Sequence, residues 1–189
     1  AVPAMNLTLG LLTYALDRSA SGIGQYTQRL LFALRQLGQA PLVLQAGGWA
    51  PGFDATGFRS VRLAGAARLP TLMTWGQALI GWHAARHGLR LVHDPTGAFP
   101  LGLCPGKRVV TICDAIPFVY PEVSTTLEKW LYRGWLPRAA VLMDAVITIS
   151  ECSKRDLEKY LKIPGSKIMV TPLAAGKKFR LMADEEIAP

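Results

Sequence analysis

Four short polar stretches interrupt an otherwise apolar sequence: Gly22-Ile23-Gly24 within SGIGQYT, His93-Asp94, Cys113-Asp114 and Ser150-Glu151. Each follows a run rich in aliphatic residues. Glycines one residue apart at the start of a helix let the backbone come close to a phosphate. The unpaired N–H groups and the positive end of the helix dipole favour the anion. A second reading of the pair is a plain strand-to-helix turn that needs positive φ. A dinucleotide fingerprint fits poorly, because Thr27 stands where a third glycine belongs and residues 44–50 hold no acid. A P-loop is excluded, since no Gly-Lys-Ser/Thr follows.

These stretches need elements to position them. Residues 6–16 and 42–45 read as buried strands, and residues 60–63 as a short strand in the glycine-rich stretch 47–65. Between the first two, Ile23, Tyr26, Leu30, Leu31, Leu34 and Leu37 recur at helical spacing, with Gly38 as C-terminal cap. A helix is expected over 71–87, with Leu72, Trp75, Leu79 and Trp82 on its apolar side. Further strands are expected at 89–93, 108–113, 145–149 and 167–171. Helices are expected at 125–143, with Gly134 and Pro137 as kink points, and at 150–161. Strands alternating with helices predict an α/β fold: a Rossmann-like three-layer sandwich with a mostly parallel sheet of about seven strands. Ligands in such sheets bind at the carboxyl ends of the strands, where all four polar stretches fall.

Composition narrows the function. The 189 residues are half hydrophobic and 18% charged, with a net charge of +8, which excludes a disordered chain and favours anionic partners. The basic residues are scattered rather than gathered into a nucleic-acid tail. Three widely spaced cysteines, Cys104, Cys113 and Cys152, fit neither a disulfide framework nor a zinc site, so a reducing cytoplasm is expected. No apolar run reaches the roughly 18 residues of a membrane span. His83 and His87 lie four apart on a helix without a third ligand in view and read as a surface pair.

Three blocks carry a resemblance. SGIGQYTQRLLFALRQLG resembles the first loop and helix of GT4-type (group 1) retaining glycosyltransferases of GT-B fold. VVTICDAIPFVYPE resembles a second signature, where a strand ends in His-Asp before a Pro-Glu loop. The third block, residues 135–179, resembles a helix leading to a strand that ends in Ser-Glu-x-Ser, then a helix, a Pro turn and a strand. The blocks stand in the family's order.

The resemblance implies two Rossmann-like domains. Residues 1–179 would form the N-terminal, acceptor-side domain and residues 180–189 the start of an interdomain linker, with the C-terminal donor-binding domain absent from this chain. Gly22, Ile23 and Gly24 would face the donor diphosphate. Cys113 and Asp114 would stand at the catalytic position, and Tyr26, His93, Ser150 and Glu151 would meet the acceptor. No cofactor and no metal are implied; a nucleotide-diphosphate sugar is a co-substrate, and the acceptor is a glycan or lipid-linked saccharide, as in cell-envelope polysaccharide biosynthesis. The full enzyme would be a hexosyltransferase-like transferase in the cytoplasm, and this chain alone would be inactive.

Cys113 departs from the family, which places a histidine there. Three readings stand: the site tolerates Cys, His93 or Asp114 covers the role, or catalysis is impaired. His93 also reads as a strand-end cap, Ser150 and Glu151 as a helix cap, and Cys113 as a small buried residue. Leu127, Trp130, Leu131, Trp135 and Leu136, with Lys129, Arg133 and Arg138, form a basic aromatic helix that fits an anionic membrane surface or packs on the sheet. Peripheral contact with the inner face of the cell membrane is thus a partner expectation; nucleic acid is not. A non-catalytic Rossmann-like ligand-binding module is the alternative.

Overall fold

A computed structural model describes residues 8–14, 21–49, 51–98, 100–120, 122 and 134–174. The first element is a four-residue strand, β1 (Leu9–Leu12), with three residues of its apolar run buried. It leads to α1 (Gly22–Gln36), which buries Gly24, Thr27 and Leu31. That helix ends at Leu37, and Gly38 comes next with φ +72, the left-handed cap its sequence predicts. Strands β2 (Leu42–Gln45) and β3 (Ser60–Arg62) come after it. Past a short turn of helix, α2 (Leu69–Thr71), and a π-helical turn over Leu72–Gly76, the chain enters α3 (Gln77–Arg86). The remaining elements are β4 (Leu91–Asp94), β5 (Lys107–Thr111), α4 (Ile116–Val119), α5 (Leu136–Val141), β6 (Ala145–Thr148), α6 (Glu151–Leu161) and β7 (Ile168–Val170).

The seven strands form one sheet in the order β3-β2-β1-β4-β5-β6-β7, and every pairing is parallel. This is the expected Rossmann-like arrangement. The strand order reverses between β1 and β4, which opens a crevice at their carboxyl ends. A parallel sheet must be covered on both faces. The larger core joins sheet residues such as Leu44, Val92, Val110 and Val146 to Leu72, Ile80, Leu136, Ala140, Leu157 and Leu161. A smaller core of Leu11, Leu31 and Val43 lies under α1. There residues 46–49 and 51–59 take the place of a helix. Trp49 stacks on Phe53 at 5.1 Å, and Phe53 lies 5.2 Å from Phe32 of α1. Arg35 of α1 closes the group over Phe58 and donates to the Thr56 carbonyl at 2.8 Å.

The helix expected over 71–87 differs in register. Trp75 and Trp82, expected on its apolar side, are 58% and 56% exposed. The buried positions are Leu72, Gly76, Ile80, Gly81 and Ala84. The π turn adds a residue to one helical turn and rotates α3 away from an ideal helical phase. Gly81 then lets the helix approach the 101–104 turn so closely that a Cβ would sit 2.6 Å from the Leu103 carbonyl oxygen.

Most of the basic aromatic helix, including Leu127, Lys129, Trp130, Leu131 and Arg133, lies outside the described residues. Of its described part, Leu136 is buried, Trp135 packs against the core, and Arg138 donates to the Gly134 carbonyl at 2.8 Å. Among the described residues, no helix is long and apolar enough to cross a membrane.

Candidate active site

The site begins at the entry to α1. Ser21 is extended, and its hydroxyl accepts the Gly24 N–H at 3.0 Å. The Ser21 carbonyl accepts the Gln25 N–H. Among the described residues, the N–H groups of Gly22 and Ile23 carry no hydrogen bond. Neither Gly22 nor Gly24 has positive φ, so the turn reading of the pair does not account for them. A Cβ on Gly22 would meet nothing within 4 Å. One turn further on, Thr27 is fully buried and donates to the Ile23 carbonyl at 2.9 Å, which stiffens the first turn.

Ile23 forms one wall of a cleft of about 130 Å³ at the carboxyl edge of the sheet. Pro95, Thr96 and Gly97 after β4, and Thr111, Cys113 and Asp114 at the end of β5, supply the rest, with Phe118 and Leu136 at the far side. The fully buried Asp94 shapes the first of these loops: its carboxylate accepts the Thr96 N–H at 2.9 Å and the Thr96 hydroxyl at 2.6 Å. Gly97 has φ +71 and comes within a Cβ contact of the Thr111 carbonyl, at 3.3 Å. Asp114 is exposed, and its carboxylate accepts the Ile116 N–H at 3.0 Å, fixing the start of α4.

The residues expected to do chemistry therefore separate into groups. Ile23, Cys113 and Asp114 face one cleft, with Gly22 next to it. Tyr26 and His93 meet behind it through Thr111, whose hydroxyl lies 3.3 Å from the Tyr26 hydroxyl and 2.8 Å from His93 Nε2. Ser150 and Glu151 do not line the cleft. Ser150 caps α6, accepting the Ser153 N–H at 3.0 Å, and Glu151 is exposed in its first turn. Sequence motifs do not single out Thr111, Thr96 or Gly97. A signal for Thr111 is nonetheless present: His93 and Thr111 end neighbouring parallel strands, and period-2 alternation places them on one face.

A model of Glycosyltransferase Family 4 matches residues 20–174. The chain belongs to that family. Among solved structures, this glycosyltransferase domain is similar to a chain in the crystal structure of a glycosyltransferase from Rickettsia africae ESF-5, at 15% identity and a TM-score of 0.49. That alignment covers 89% of this chain and 43% of the other, so the domain spans less than half the length of that protein. A search of the curated proteins found no match.

Electrostatics sort the polar groups of the glycosyltransferase cleft. Burial pushes the Cys113 thiol up, and the neighbouring Asp114 carboxylate adds to this, so Cys113 is a neutral thiol at physiological pH. Burial alone lowers His93 to about 4, so its imidazole is uncharged. Tyr26 is raised, first by burial and also by the nearby Cys113, with the Thr111 hydrogen bond opposing. The cleft's polar side chains other than Asp114 are thus neutral, while α1 directs its positive end to the same edge. Among the described residues there is no cluster of three or more His, Cys, Asp or Glu that could hold a metal ion. His83 and His87 stack at 5.9 Å on α3, away from the cleft. A larger cavity of about 340 Å³ opens at the opposite, amino edge of the sheet, beside Leu9, Leu42, Arg59 and His87, and none of the expected site residues reaches it.

Proposed function

We propose that this domain is the acceptor-side, N-terminal half of a retaining glycosyltransferase. The whole enzyme moves a hexose from a nucleotide-diphosphate sugar to a hydroxyl of a glycan or lipid-linked saccharide. The observation that carries this reading is that Ile23, in the first turn of α1 with its N–H unpaired, lines one cleft with Cys113 and Asp114. Transfer leaves a nucleoside diphosphate, so negative charge builds on its phosphate. A fixed helix N-terminus stabilises that charge without reorganising. Gly24 contributes by shape alone, because its N–H is taken by Ser21.

A cleft of about 130 Å³ is smaller than the roughly 300–1,000 Å³ of ordinary small-molecule sites. This supports a site completed by a second, donor-binding domain. On that reading residues 180–189 begin the linker, and residues 1–179 alone bind acceptor weakly and catalyse nothing. Cys113 stands where the family has histidine. A neutral thiol is a poor donor, so in this reading Cys113 shapes the sugar pocket while Asp114 and the helix end supply the polar contacts. Tyr26 and His93 contribute to the acceptor side. Ser150 and Glu151 reach an acceptor only if it extends beyond the cleft. The enzyme works in the cytoplasm, at the inner face of the membrane when its acceptor is lipid-linked.

The test is a screen of nucleotide-diphosphate sugars for transfer or hydrolysis by the full-length enzyme, with Cys113→His beside the wild type. Turnover is expected in both, and higher in Cys113→His if the thiol is a handicap. No turnover in either, with nucleoside diphosphate still bound, would favour the non-catalytic binding module. Turnover by this chain alone would overturn the two-domain reading.

A further inference from the structure

Behind the cleft, three side chains from three elements meet on one hydroxyl. Thr111 of β5 is 1% exposed, and its Oγ1 lies 2.8 Å from His93 Nε2 of β4 and 3.3 Å from the Tyr26 hydroxyl of α1. His93 is 7% exposed. A threonine hydroxyl has one proton and two lone pairs. Two partners allow two ordered chains. In one, Nε2–H donates to Thr111 and Thr111 donates to Tyr26. In the other, Tyr26 donates to Thr111 and Thr111 donates to Nε2. A third arrangement, with both partners donating to Thr111, strands its proton in the interior without an acceptor and is costly. Each ordered chain selects one His93 tautomer and one polarity for Tyr26. Thr111 also lines the cleft, and the Tyr26 hydroxyl lies behind that wall.

We propose that Thr111 is a positioning residue: its hydroxyl couples the buried His93 imidazole to Tyr26 and so holds the α1, β4 and β5 sides of the cleft in one arrangement for an incoming acceptor. The relay rests on the observed geometry; what enters the cleft rests on the glycosyl-transfer reading above.

Long-range proton–nitrogen correlation of the imidazoles in the 189-residue chain at neutral pH reads the tautomer. The His93 tautomer balance in Thr111→Ser should match that of the wild type. A different balance is expected in Thr111→Val, with the fold checked by circular dichroism. Tyr26→Phe removes one hydroxyl from a half-buried ring and should shift the His93 nitrogens through Thr111. Unchanged His93 nitrogens in both Thr111→Val and Tyr26→Phe would overturn the relay. In the full-length enzyme, Thr111→Val should lower kcat about tenfold or more, with the donor KM within about twofold, and Thr111→Ser should restore it. Equal loss in the Val and Ser variants would overturn the positioning role. A wild type inert towards every nucleotide sugar would sink the glycosyl-transfer reading and leave the tautomer result standing.

Discussion

The Ser21 hydroxyl accepts the Gly24 N–H at 3.0 Å, so α1 is capped by a side chain, and two of its first-turn N–H groups stay open to a ligand. The cap fixes the direction from which Gly22 and Ile23 present those groups. Ser21→Ala should cost about 1 kcal/mol, the usual loss for an N-cap serine. Urea denaturation measures it. A loss near zero would mean that water caps the helix as well as serine does, and that the first turn is less fixed than the hydrogen bond implies.

Gly22 separates stability from function. Its φ is not positive and a Cβ there meets no atom within 4 Å, so Gly22→Ala should leave stability unchanged or raise it by up to about 1 kcal/mol. A bound diphosphate would meet that methyl group. Affinity of the full-length enzyme for a nucleoside diphosphate should then fall about tenfold or more. Titration calorimetry beside a thermal melt tests both halves. Undiminished affinity in a stable Gly22→Ala would remove Gly22 from the donor site.

Much of the fold was legible because strands and helices alternate cleanly and because Gly38 and Ser150 mark helix ends. Positions within elements were harder. A helical-period reading set Trp75 and Trp82 inward because large apolar residues usually anchor a helix. Here the anchoring face is built from Gly76, Gly81 and Ala84, and close approach takes the part that bulk plays elsewhere. No local pattern reveals a π turn. The cleft was half legible: Ile23 opens the helix after β1 and Cys113-Asp114 follow β5, at the edge where the parallel sheet gathers them. Thr111 hid inside an apolar strand, since a threonine is ordinary there until its neighbours are known. Ser150 and Glu151 end a strand too, yet β6 lies two strands from β4, and their side chains serve the helix they begin.

Gly81→Ala sets two effects against each other. Alanine gains up to about 1 kcal/mol in helix propensity over glycine. The added Cβ, however, would lie 2.6 Å from the Leu103 carbonyl oxygen and 3.2 Å from its carbon, and backbone yields little. Overpacking of that kind costs about 1–3 kcal/mol. Contact should win, lowering the melting temperature by several degrees. A rise would mean that the 101–104 turn moves freely away from α3.

The pH dependence of stability should carry the signature of His93. Its ordinary value of 6.5 is lowered to about 4 in the fold, because burial disfavours the imidazolium. Between those values the unfolded chain binds the proton and the folded chain does not, so stability rises with pH across the window. The contribution is complete above about 6.5 and is lost as pH falls towards 4. Its size is about 3 kcal/mol, of the order of the whole margin of a weak domain. His83 is also lowered, mainly by burial, and adds a smaller slope of the same sign. Asp144, held below its ordinary 3.8 chiefly by the Lys107 hydrogen bond, loses its contribution only at lower pH and leaves the window clear. His93→Gln keeps a side chain able to partner the Thr111 hydroxyl and has nothing to titrate. Urea melts at a series of pH values should show a steep rise for the wild type and a shallow one for His93→Gln. Equal slopes would mean that water reaches the imidazole, and that the site holds a histidine free to charge beside the cleft.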